Sequence, residues 1–507
     1  MRSDSVSVHE TAPRHERVKI YAIDEDKVQH EDTHAMPYRL KFLDKREAAE
    51  FIFQNNIRIV NLCHIPEDGR LKTLSFSATD NKRVEEIFRF GERADGSSLF
   101  SFIEPGRSDI YLQPDLEKAF VHPFSALPTL NVLCNYLDED GKPLPISPQS
   151  VLSRAEDKLK ASSGIILRAF AELEFYIILK QESEPTFQGS PDGNYHDSAP
   201  FSKSENIRNE ALNMLEALGI QTKYAHSEVG RIPRNDMTIE QHEIEFAPQG
   251  LADTAETVAI GKWVVRNVCA KHGAQVSFSP KVSLLHAGTG MHVHLCGLKG
   301  RRNVVSTAEG KLSDEAMEMM GGILKRASSL AAFANPTPVS YLRFIARKES
   351  PMHICWSAGN RLALIRVPLW WTHAHKAPEG EDLKETFEYR APDAFANAYL
   401  LLAAVATAVG YGLSHPRESL ALAEKLRVER DGTGMKKFSL LPRSCVESAK
   451  ELRKDRKYYE EGGVFSTRLV DKVISKLESQ KDANLWQTLA DKPERFENLL
   501  KEYMHCG

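Results

Sequence analysis

The stretch Ile165–Leu179 constrains the fold more than any other segment. It is almost wholly apolar, and its second half, Phe175-Tyr176-Ile177-Ile178-Leu179, is strongly β-prone, so it reads as a strand. Two acids interrupt it, Glu172 and Glu174. Residues two apart on a strand share a face, so these carboxylates project side by side. Adjacent carboxylates repel, and burying them unpaired is costly. A divalent cation such as Mg2+ or Mn2+, which prefers oxygen ligands, resolves the conflict. The alternative is an exposed strand face carrying two solvated acids.

Around this strand the pattern is mixed α+β. Residues 1–36 read as a mobile polar tail without an apolar leader segment. Residues 37–140 read as a small domain: Ile57–Leu62 and Leu71–Phe76 form a hairpin across Pro66-Glu67-Asp68-Gly69, and a helix follows at Arg83–Phe90. The Asp-, Gly- and Pro-rich connector at Asp138–Pro148 marks the boundary. Residues 141–507 read as a large domain in which helices and strands alternate and which turns helical after Asp393. Its helices are predicted from about Pro148 to Ala161, then over Asn206–Leu218, Asp253–His272 and Ser313–Ala334. Strands are predicted at Gln275–Phe278, Gly290–Leu295 and Arg361–Val367. The uncharged run Ala398–Leu413 is too short to span a bilayer and reads as a buried helix.

Four further clusters carry chemistry. His292 and His294, in Gly288-Thr289-Gly290-Met291-His292-Val293-His294, share one strand face, as metal ligands or as buried structural histidines. Glu243 and Glu245 share a face downstream of Glu228, as a ligand set or as a solvent-facing acidic strand. Arg343, Arg361 and Arg366 sit in apolar runs read as strands, as anion clamps or as structural ion pairs. Arg361 and Arg366 are five apart, so a regular strand would send them to opposite faces unless it begins after Arg361. Glu388 and Arg390 share a face, as a cation ligand beside an anion clamp or as an ion pair. A net charge of −4 gives no reason to expect a nucleic-acid or membrane partner. Seven scattered cysteines with no CxxC pair suit a reducing cytoplasm.

The order of these clusters resembles the glutamine synthetase family over about Ile57 to Tyr411. The landmarks include Asp95-Gly96-Ser97-Ser98, Glu172-Leu173-Glu174, the Gly288–His294 run, Asn335-Pro336-Thr337, Tyr341-Leu342-Arg343, Asn360-Arg361, Ile365-Arg366-Val367-Pro368 and Glu388-Tyr389-Arg390-Ala391-Pro392-Asp393. The resemblance implies a small N-terminal β-grasp domain and a large catalytic domain with a curved antiparallel sheet and helices. It implies a homo-oligomer of stacked rings, a decamer or dodecamer, with active sites between subunits. It implies two or three Mg2+ or Mn2+ ions per site, one held by Glu174, Glu228 and Glu243, another by Glu172, His292 and Glu388. Arg343, Arg361 and Arg390 resemble clamps for the substrate carboxylate and the γ-phosphoryl group. Arg366 and His294 resemble ATP-phosphate contacts, Gly288 a substrate contact, and Glu349 the flap carboxylate that takes a proton from ammonium. Asp95 and Asp109 would come from a neighbouring subunit. The implied substrates are ATP, glutamate or a similar acid, and ammonia or an amine.

The departures gather around substrate and nucleotide. Ala287 stands where the family has Asn, and Cys296 where it has Ser. Glu240-Gln241-His242 replaces a Gly-Gln, about seven residues are added between Glu228 and Glu243, and Thr386 replaces an arginine. Trp370–Thr386 is longer than the family pattern. These changes spare the six implied metal ligands, so the metal core is expected to be kept and the specificity to have moved; the resemblance implies a ligase using ammonia, with a γ-glutamyl-amine ligase and a catalytically silent relative as the other readings.

Overall fold

The structure is a computed structural model that describes residues 38–180, 187–234, 236–307, 309–345, 350–368, 385–491 and 494–507. The 1–36 tail, Glu349 and most of Trp370–Thr386 lie outside the described residues.

The N-terminal part is a six-stranded sheet. Its main path runs Arg39–Leu40, Asp109–Val121, Thr129–Leu137, Ile59–His64, Lys72–Ser77, and Glu92–Asp95 pairs with Asp109–Val121. The predicted hairpin is present, with Leu62 opposite Leu74. Ile59–His64 runs parallel to Thr129–Leu137, and the other pairs are antiparallel. Helices Lys45–Gln54 and Asn81–Phe90 are started by Asp44 and Asp80, whose carboxylates accept from first-turn N–H groups. They bury Ala48, Ile52, Val84 and Phe88 against Val60, Leu130 and Val132.

The second sheet has ten strands. Its main path is His353–Ala358, Ala363–Val367, Phe387–Tyr389, Met291–Lys299, Ile166–Lys180, Met237–Phe246, Thr222–Arg234. It is antiparallel except between its first two strands, which are parallel. One face of the central strands carries Leu173, Phe175, Val293, Leu295 and Ile244 into the main apolar core, which the helices Leu251–Lys271, Asp314–Ala334 and Ala398–Ser414 share. Two glycines let the last two helices touch. A Cβ on Gly322 would lie 2.1 Å from the Ala408 carbonyl oxygen, and one on Gly412 2.0 Å from that of Glu318. The run at Ala398 is the buried helix the sequence predicts. No single helix among the described residues is long and apolar enough to cross a membrane.

Two expectations change. Arg343 lies in a helix, Pro338–Ile345, not a strand. Asn335-Pro336 ends the preceding helix and Pro338 opens the next, and so short an apolar run has no readable period. The strand predicted from Arg361 begins at Ala363. Arg361 therefore belongs to the turn before it, and the face-alternation argument no longer separates it from Arg366.

Candidate active site

The pairing register assembles the site. Residues directly opposite on an antiparallel ladder share a face. Glu172 is opposite both His292 and Glu245, Glu174 is opposite Glu243, and Glu243 is opposite His226. His294 is opposite Glu388, which is opposite Arg366. Residues scattered from 172 to 388 thus form one polar row across six strands, on the face away from the apolar core.

Most of this row lines a cleft of about 460 Å³. Glu172, Glu174, Glu228, Glu243, His292, Glu388, Arg343, Arg361, Arg366, Arg390 and Gly288 all face it. His292 Nδ1 is 2.7 Å from Glu172 and 3.4 Å from Glu388, and its Nε2 is 3.7 Å from Glu174. His294 lies just behind, with Nε2 2.9 Å from Glu172 and Nδ1 2.9 Å from the Thr386 hydroxyl. Phe170 stacks on the His294 ring at 4.4 Å. Glu174 accepts from the Gly290 N–H at 2.8 Å and the Gln241 amide at 3.0 Å.

Arg343 donates to the carbonyl oxygens of Ala391, Pro392 and Arg390, at 2.9, 3.1 and 3.2 Å. It therefore braces the loop that follows Glu388 as well as facing the cleft. Glu388 is fully buried and ion-paired to Arg366 at 2.9 Å and to Arg390. Glu388 and Arg390 are thus ion-paired, and both face the cleft.

The carboxylates titrate apart. Burial and the nearby charges of Glu172, Glu174 and Glu228 push Glu243 well above the usual carboxylate range. Burial acts the same way on Glu172, but His294 and His292 outweigh it and hold Glu172 well below that range. At Glu388 burial is outweighed mainly by Arg390, so its carboxyl is lowered. His294 is raised: burial opposes protonation, and Glu172 more than compensates. Among the described residues, one oxygen of buried Glu245 has no hydrogen-bond partner.

Among the described residues, three groups bring ligand atoms within 4.8 Å of one another: Glu172 with Glu243 and His292, His226 with Glu228 and Glu243, and Glu172 with Glu245 and His294. An excess of buried carboxylate oxygens with imidazole beside it suits hard divalent cations. These groupings cut across the two sets implied by resemblance and add His226, Glu245 and His294. The solvent-facing alternative for the Glu243 strand is excluded, because Glu243 and Glu245 are buried.

Asp95 and Asp109 are elsewhere. They are cross-strand partners in the N-terminal sheet, exposed, and do not line this chain's cleft. Hydrogen bonds from Ser98 and Ser97 hold the Asp95 carboxyl well below its ordinary range, and Asp109 pairs with Arg93 at 3.2 Å. Sequence reasoning missed Asp192, Tyr195 and Tyr224, which also line the cleft. Asp192 and Tyr195 come from an irregular segment with no periodic signal.

Comparison with known proteins fits this geometry. The family model described as the glutamine synthetase catalytic domain matches residues 145–494, and that of the glutamine synthetase beta-Grasp domain matches residues 56–139. The chain belongs to the glutamine synthetase family. It is a glutamate–ammonia ligase-like enzyme, an ATP-dependent carbon–nitrogen ligase of a family that uses divalent metals. Glutamine synthetase of Thermotoga maritima is 32% identical over 411 residues, 80% of this chain and 89% of that one. The Pyrococcus abyssi enzyme is 33% identical over 404 residues, 79% and 85% of the two chains. Among solved structures, Plasmodium falciparum glutamine synthetase shares the fold with a TM-score of 0.73 at 19% identity, covering 88% of this chain and 97% of that one. A GmaS/ADP complex does so at 0.70 and 21%, covering 89% and 99%.

Proposed function

We propose that this family member joins the γ-carboxylate of glutamate, or of a similar acid, to ammonia through an acyl phosphate. The observation that carries the reading is the polar row itself: acids and histidines in register across the sheet, with four arginines facing the same cleft. The substrate carboxylate oxygen attacks the γ-phosphorus of ATP, the bond to the β–γ bridging oxygen breaks, and ADP leaves. The nitrogen then attacks the acyl carbon, the carbon–oxygen bond to phosphate breaks, phosphate leaves, and the nitrogen gives up a proton.

Glu172, Glu174, Glu228, Glu243, His292 and Glu388 would hold two or three Mg2+ or Mn2+ ions. When bound, such ions neutralise charge on the phosphoryl oxygens. Arg343, Arg361 and Arg390 bind the substrate carboxylate and the transferring phosphoryl group, and Arg366 binds the ATP phosphates. His294, held by Thr386 and Phe170, would sit near the phosphates. Gly288 gives the acid's amino end close access to backbone. Glu349 takes the proton from the nucleophile, and Asp95 and Asp109 reach the site from a neighbouring subunit of a stacked-ring oligomer in the cytoplasm. One observation favours a second reading, a γ-glutamyl-amine ligase: Ala287 and Gly288 present no polar side chain to the cleft.

The test measures ADP release with ATP, Mg2+ and glutamate, adding ammonium or single primary amines in turn. Stimulation by ammonium supports the first reading, and stimulation only by a larger amine supports the second. No ADP release with any pairing overturns both.

A further inference from the structure

Two departures noted in the sequence, Glu240 and the lengthened stretch after Glu228, have no part in the chemistry above. The structure joins them in one device. The register between the strands Thr222–Arg234 and Met237–Phe246 shifts between Ser227 and Arg231. Onto that irregular edge docks the segment carrying Asp192 and Tyr195. The N–H groups of Asp192, Asn194 and His196 donate to the carbonyls of Arg231, Val229 and Ser227, at 3.1, 3.2 and 2.9 Å.

Two buried charges hold the same segment from behind. Glu240 is 1% exposed. Its carboxylate accepts from the N–H groups of Lys203 and Ser204 at 2.8 and 3.0 Å and from the Ser204 hydroxyl at 2.7 Å. Arg231 lies 3.0 Å from Asp197 and 3.6 Å from Glu240. Its guanidinium fills the space over Gly189, where a Cβ would come within 1.5 Å of Nη1. Buried ion pairs add little net stability, and in some proteins they serve to specify one conformation. Here the conformation specified is that of 189–204.

Tyr195 is the part of that segment that touches both halves of the site. Its ring is 5.9 Å from the Arg361 guanidinium carbon and 5.4 Å from the His226 ring, which itself sits 3.1 Å from Glu243. An amine in its ammonium form is attracted by carboxylates and by an aromatic face. We infer that Arg231 and Glu240 are positioning residues that fix Tyr195 and Asp192 as the wall against which the nitrogen nucleophile, ammonium or a small primary amine, is held. This rests on the ligase reading above.

The test compares Glu240→Ala, Glu240→Gln and Arg231→Gln with the wild-type enzyme, varying the nitrogen nucleophile and ATP separately. Glu240→Ala should raise KM for the nucleophile on the order of tenfold while KM for ATP changes less than about twofold, because misplacing a positioning wall acts on the partner it holds. Glu240→Gln keeps one acceptor oxygen and should fall between. Chymotrypsin should cut Glu240→Ala within 187–204 faster than wild type, at Phe187, Tyr195 or Phe201. If Glu240→Ala does not fold, the two Gln variants carry the same comparison. An unshifted nucleophile KM in a folded variant, or equal shifts for nucleophile and ATP, overturns the inference and leaves the ligase reading standing. A wild-type enzyme that turns over no nucleophile overturns the ligase reading and this inference together.

Discussion

Replacing Gly290 with alanine adds one methyl group against three of the side chains that line the cleft. Its Cβ would lie 2.7 Å from Arg343 Nη2, 2.8 Å from His292 Nε2 and 3.0 Å from Glu174 Oε1. Ordinary contact needs about 3.4 Å, so these three groups must retreat by about 0.4–0.7 Å. The Gly290 N–H also donates to Glu174, so the backbone cannot simply move away without losing that bond. Misplacing catalytic groups by about 1 Å costs around a hundredfold in rate, so kcat of Gly290→Ala should fall by about ten- to a hundredfold. The folding cost should be about 1–3 kcal/mol, the usual range for overpacking. Steady-state ADP release, paired with a thermal melt, separates the two effects. A variant with kcat within twofold of wild type and an unchanged melt would show that Gly290 is not wedged among working groups, and the assignment of Glu174, His292 and Arg343 to one site would fail with it.

The remaining predictions concern the carboxylate row and the core beneath it. Glu174→Ala should abolish turnover and leave the oligomer intact by size-exclusion chromatography; retained activity would remove Glu174 from the ligand set. Lys262 is fully buried on the Leu251–Lys271 helix, its ammonium donating to the Ala394 carbonyl at 2.9 Å. Burial, then Arg266, push its pKa down to about 7 from 10.5. The unfolded chain therefore binds more protons between those values, so this residue's cost to stability is full below pH 7 and fades as pH rises towards 10.5. Lys262→Met should stabilise the fold by about 2–4 kcal/mol at pH 6, after the lost hydrogen bond is subtracted, and by much less at pH 9. Denaturant midpoints at the two pH values check this, and a larger gain at pH 9 would contradict it.

The readable part of this molecule was periodic. The strand Ile166–Lys180 and the helices Leu251–Lys271 and Asp314–Ala334 lie within two residues of where alternation, caps and breakers put them. Same-face placement of Glu172 with Glu174 and of His292 with His294 follows from strand geometry alone. What the local pattern could not supply was register between strands far apart in sequence. Nothing near Glu245 says that it faces Glu172, or near Thr386 that it meets His294. The short Pro338–Ile345 helix was misread because eight residues show no clear period. Tyr195 was missed because an irregular segment has no period at all, and its place is set by Arg231 and Glu240, whose roles appear only once the chain is folded.

The row of opposed residues ties the enzyme's chemistry to its sheet hydrogen bonds. Sliding Met291–Lys299 by one position along its neighbour would turn His292 and His294 into the apolar core and bring Val293 and Leu295 out to the cleft. Such a slip would empty the ligand set and expose core in the same event. A chain with the correct composition but an offset ladder would therefore be both inert and unstable. For this protein, selection for the reaction is also selection against misalignment, so the inactive forms most to be expected after mutation are ones that quality control can also recognise.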